Sequence, residues 1–186
     1  MKTLKEKWQL YLFFALAVAL LCEGCLATLR PPRPEITYGE FPIRVTCEVN
    51  GEEIIVKDTV ICEFDGYLWT GGGVYRQWKS SLASGREEIL LLAIDESTEL
   101  SCTGDAPEYY MDDLESVNRT REGYEKLRED LFEEYFISLR KKTDSGYVSN
   151  GLSAEEALEQ YGFRVISVEY SEPIENTFPE HRPLPF

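Results

Sequence analysis

FPIRVTCEVNGEEIIVKDTVICEF, residues Phe41 to Phe64, decides how the folded part of the chain begins. Phe41, Ile43, Val45, Cys47 and Val49 alternate with Arg44, Thr46 and Glu48, the period of two that sends successive side chains to opposite faces of a strand. Asn50-Gly51 is the dipeptide best able to adopt the two positive φ values of a type I′ turn, so Val49 should pair with Glu52. Counting back across the turn sets Cys47 opposite Ile54 and Val45 opposite Val56, which joins the apolar faces. Asp58 interrupts the alternation and predicts a bend, after which a third strand runs from Thr59 to Phe64 with Val60, Cys62 and Phe64 on one face. Short connections of this kind imply an antiparallel sheet covered on one side.

Upstream, Lys2, Lys5 and Lys7 precede an unbroken apolar run of 13 residues from Leu10 to Cys22. A run this short suits a signal-peptide h-region better than a helix crossing about 30 Å of hydrocarbon. Three outcomes stay open at its end: cleavage after Ala27, lipidation of Cys25 behind Gly24, or retention as an anchor from Trp8 to Leu29. Each places the rest of the chain outside the cytoplasm, secreted or held at the cell envelope, touching the membrane only through the N-terminal segment. The expected organisation is a leader over 1–27, a proline-rich spacer over 28–38, one acidic domain over 39–178 and a proline-rich tail over 179–186.

The leader holds 3 of the 19 basic residues and 2 of the 34 acidic ones, so the remainder is strongly acidic. Such a surface repels phosphate backbones, and nucleic acid is not an expected partner. Cys47, Cys62 and Cys102 read as buried thiols rather than a disulfide scaffold.

Between Asp65 and Ile94 the three glycines Gly71 to Gly73 suggest a flexible loop, and an apolar strand follows from Ile89 to Ile94. Val74-Tyr75-Arg76 replaces the Gly-Lys-Ser/Thr of a phosphate-binding loop. Tyr67, Trp69, Tyr75 and Trp78 lie close to these glycines, where aromatic faces can stack on sugar rings or pack a hairpin over the core. Asp95 to Glu115 carries eight acidic residues and no basic one, yet lacks the alternating oxygen-ligand spacing of a calcium loop, and reads as a solvated acidic loop.

Tyr124, Leu127 and Leu131 recur at helical spacing, and Tyr135 to Lys141 reads as extended. A second short helix is marked by Ser153 as N-cap, Glu156 completing a capping box, the Leu152/Ala157 staple and Gly162 as terminator; a strand from Phe163 to Tyr170 follows. The fold class is therefore α+β, an antiparallel sheet with two short helices in a single compact domain.

GEFPIRVTCEVNGE, DTVICEFDG, ASGREEILLLAI, EYYMDD and SAEEALEQYGFRVISVEYSEPIENTF together resemble an uncharacterised family of small exported proteins of Gram-positive bacteria, over nearly the whole chain past the leader. The resemblance implies a bacterial, extracytoplasmic setting and one domain, and carries over no catalytic residue. By inspection the only histidine is His181, in the proline-rich tail, which leaves no Ser-His-Asp or Cys-His arrangement and no zinc spacing. No catalytic, cofactor or metal residue is assigned. Two functions follow: a non-catalytic envelope protein that binds another protein through a sheet edge or its acidic surface, or a small carbohydrate-binding module using Tyr67, Trp69, Tyr75 and Trp78.

Overall fold

The structure, a computed structural model, describes residues 30–179 except 72, 105, 136 and 145, with backbone alone over 130–135. The expected leader with Cys25, and the tail from residue 180 onward, lie outside the described residues.

The opening hairpin forms in the register read from the sequence. Strand β1 (Tyr38–Val49) pairs antiparallel with β2 (Glu52–Thr70), with Val49 facing Glu52, Cys47 facing Ile54 and Val45 facing Val56. Asn50 and Gly51 both take positive φ, at 51° and 88°. Asp58 does not bend the chain. It faces Ile43 in an unbroken ladder, and β2 runs on for 19 residues, so the expected third strand is the continuation of the second. The charged side chain is tolerated on the inward-facing set because the turn at Ser84 satisfies it: Ser84 Oγ donates to its carboxylate at 2.6 Å, and the Thr59 N–H at 2.7 Å.

β3 (Gly73–Leu82) returns along β2, and β8 (Phe163–Glu169) closes the other side of β1, giving a sheet in the order β3-β2-β1-β8. A second antiparallel sheet follows the order of the chain: β4 (Ile89–Ala93), β5 (Thr98–Cys102), β6 (Ile137–Thr143) and β7 (Gly146–Leu152). Helices α1 (Pro107–Tyr110), α2 (Arg121–Tyr135) and α3 (Ala154–Tyr161) and a 3₁₀ turn (Leu114–Val117) complete a mostly antiparallel β architecture.

One apolar core joins the two sheets. Val45, Cys47, Val60 and Cys62 of the first and Ile89, Leu100, Cys102 and Ile137 of the second are all buried within it, sealed by Tyr110, Met111, Ala157 and Phe163. Cys47, Cys62 and Cys102 are buried free thiols. Cys47 faces Ile54 whereas Cys62 faces Gly39, which separates the two along adjacent strands rather than by an intervening one.

Capping of α3 follows the sequence reading: Ser153 accepts from the Glu156 N–H at 3.2 Å, Glu156 accepts from the Ser153 N–H at 3.0 Å, and Gly162 ends the helix in the left-handed region.

Candidate functional site

The four aromatic residues near the glycines are not one surface. The stretch expected as a loop is the tip of the β2–β3 hairpin, with Tyr67 facing Arg76, Leu68 facing Tyr75 and Trp69 facing Val74. Residues directly opposite in an antiparallel pair share a face, and neighbours along a strand alternate. Tyr67, Trp69, Arg76 and Trp78 therefore lie on one face, and Tyr75 lies with Leu68 on the other. Trp78 is in the core, edge-on to Phe64, with ring centroids 5.4 Å apart. Of the four, Tyr67 and Trp69 remain together, and Trp69 is 46% exposed.

Behind them sits an ion pair that the sequence hides. Asp113 is 1% exposed. Arg76 grips its carboxylate with Nε at 2.8 Å and Nη2 at 2.5 Å, while Trp78 Nε1 donates to the same oxygen as Arg76 Nε, at 2.8 Å. The expectation of a solvated acidic loop over 95–115 is overturned here and at Glu99, because both are drawn inward by arginines distant in sequence. Glu99 lies on strand β5, 3.5 Å from Arg140 and 2.5 Å from Arg86. Arg140 is buried on the outer side of the second sheet, beneath Glu87 at 2.7 Å and Tyr147, whose ring centroid is 4.4 Å away. Among the described residues no group of three or more His, Cys, Asp or Glu could hold a metal ion.

The proline-rich spacer is docked. Pro34 is buried, Arg76 Nη1 donates to the Pro32 carbonyl at 3.4 Å, and the Arg33 and Arg30 guanidinium groups lie 5.6 Å and 5.7 Å from the Phe64 and Tyr67 rings. Over residues 30–37 it lacks regular structure, as prolines require, yet it is a strap along the aromatic face rather than a free arm.

The thiols offer no nucleophile. Burial pushes Cys47 up to about 11 and Cys62 up to about 12, and burial raises Cys102 as well, so all three stay protonated near neutrality. An open cleft of about 550 Å³ beside Arg44, Lys57, Asp58 and Glu169 is large enough for a small molecule. Its charges are largely engaged with protein groups, Arg44 with Glu169 at 3.2 Å and Asp58 with Ser84.

Strand β7 is another feature that sequence reasoning missed. Its residues, GYVSNGL, include two glycines, a serine and an asparagine, which weaken any strand signal. It is an edge, paired only with β6, and every residue but Leu152 is exposed. The other edges are guarded: β3 and β8 carry charges, and β4 is five residues long and half buried. β7 has no charge and no proline, the usual protections of an edge.

Compared with known proteins, the chain matches no family model, no curated protein and no solved structure.

Proposed function

We propose that the chain is an exported, non-catalytic protein of the cell envelope that binds a protein partner by accepting a strand along β7. The observation that carries this reading is the unguarded edge: a row of backbone donors and acceptors, free of like charge, on a chain whose formal net charge is −15. Main-chain hydrogen bonds would supply affinity, and Tyr147 and Val148, 45% and 50% exposed, would select the side chains of the incoming strand. Export is supported by the basic residues and apolar run at the N-terminus. The alternative, a carbohydrate-binding module, retains only Tyr67 and Trp69 of its four aromatics on one accessible face.

The test places a photo-crosslinking amino acid at Ser149 of the full chain in a bacterial host that exports it. A discrete protein adduct is expected, and the exposed substitutions Val148→Lys and Asn150→Lys should abolish it by charging the edge. An adduct indifferent to those lysines would sink strand addition. Alkaline phosphatase fused after Phe186 should be active; an inactive fusion would sink export.

A further inference from the structure

The β2–β3 hairpin tip is apolar on both faces, which packing against protein does not explain. A hairpin lying on a core buries one face and wets the other. Here Trp69 and Val74 occupy one face and Leu68 and Tyr75 the other, and Leu68 and Trp69 are 49% and 46% exposed. No charge occurs between Asp65 and Arg76, in a chain with 28% charged residues.

The strap gives this tip a neighbour. Arg33 lies at Phe64 and Arg30 at Tyr67, so the strap runs toward the tip as it is followed back toward the N-terminus. Arg30 is eight residues past Cys22, the last residue of the apolar run, a separation of at most about 29 Å even when fully extended. Whatever holds that apolar run is thus brought to the tip's side of the domain.

We propose that Leu68 and Trp69 dock the hairpin tip into the surface of the membrane that holds the N-terminal apolar run. This rests on the export reading with the N-terminal run retained as an anchor, and adds a second membrane contact to the single N-terminal one expected from sequence. Tryptophan favours the boundary between headgroups and hydrocarbon, with leucine beside it entering the acyl region. The domain's acidic charge cannot draw it to anionic lipid, so insertion is apolar and insensitive to salt.

The test reconstitutes the full chain, carrying Trp8→Phe, into phosphatidylcholine vesicles with bromine at shallow acyl positions. Trp69 is then the accessible reporter, because Trp78 is buried. Bromine-dependent quenching is expected, lost when Trp69→Phe is added and lowered about twofold or more by Leu68→Glu, which sets a charge against the bilayer. Protein that floats with the vesicles but emits equally with and without bromine overturns the docking, whether the tip then faces water or a partner protein. Protein that does not float overturns the docking together with the membrane attachment it rests on; an active alkaline phosphatase fusion would still leave export itself standing.

Discussion

Asp113 shows how much one carboxylate can organise when it is out of water. Its two oxygens receive three donors, from Arg76 and Trp78, and its own carbonyl accepts from the Ser116 hydroxyl at 2.7 Å. Asp113→Asn would turn an acceptor into a donor facing a guanidinium that is itself only 9% exposed. The expected loss is about 3–5 kcal/mol, since breaking one side of a buried pair strands the other charge. Denaturant unfolding reads this directly, and an unmoved midpoint would show the pair to be dispensable. Nothing near Asp113 in sequence announces the role: it stands among acidic neighbours, and its partners are 37 and 35 residues away. The thiols were more legible, because apolar neighbours at period two already placed Cys47 and Cys62 on an inward face. Their pH consequence has a definite sign. An unfolded thiol ionises near 9.0, whereas Cys47 and Cys62 in the folded chain do so only near about 11 and about 12, so in that interval the folded state binds more protons. Stability should therefore fall as pH rises above 9. A melting temperature that is flat from pH 8 to pH 11 in the wild type, or a decline of equal size after Cys47→Ala and Cys62→Ala, would refute the assignment.

Elements whose signals are local were readable, and those fixed by distant partners were not. Asn50-Gly51 and the Ser153/Glu156 box each specify a conformation within a few residues, and both occur as the sequence implies. β5 and β7 were missed because their charges, glycines and polar residues argue against strand, and pairing with neighbouring strands holds them there, β5 between β4 and β6 and β7 along β6. What no local rule could supply is that the turn and the helix terminus meet. The Asn50 N–H donates to the Gly162 carbonyl at 2.9 Å, and a Cβ added at Gly162 would lie 2.2 Å from Asn50 Oδ1. Gly162→Ala thus faces two penalties, a positive φ of 59° costing about 1–2 kcal/mol and a collision with the hairpin turn. Asn50→Gly removes the colliding group and suits the turn's positive φ, so Gly162→Ala should cost less in that background, by more than about 0.5 kcal/mol. Equal costs in both backgrounds would mean that the turn yields freely and the two elements are uncoupled.

At the scale of the whole molecule, the ends of the domain are tied across its first sheet. Asn176 is buried, and its Nδ2 donates to the carbonyls of Ile36 at 3.0 Å and Met111 at 3.2 Å, while its Oδ1 accepts from the N–H groups of Ile36 at 3.0 Å and Thr177 at 3.0 Å. The Glu35 N–H donates to the Thr177 carbonyl, and Phe178 lies over the Arg76 guanidinium at 4.1 Å. One amide thus fastens the strap, the segment after β8 and the turn that carries Asp113 to one another. The proline content of the strap disclosed its lack of regular structure but not its attachment, because the groups that hold it lie far along the chain, Arg76 and Asn176 being 44 and 140 residues from the atoms they bond. Asn176→Ala would leave the Ile36 N–H and the buried Met111 carbonyl without these bonds. A cost of about 2–3 kcal/mol is expected. The loss should be local first: faster hydrogen exchange at Glu35, Ile36 and Thr177, with the β1–β2 ladder around Val45 unchanged under native conditions. Exchange that accelerates uniformly would mean the tie is part of the global core, and exchange that does not change at all would mean that the strap is held by its arginines and prolines without Asn176.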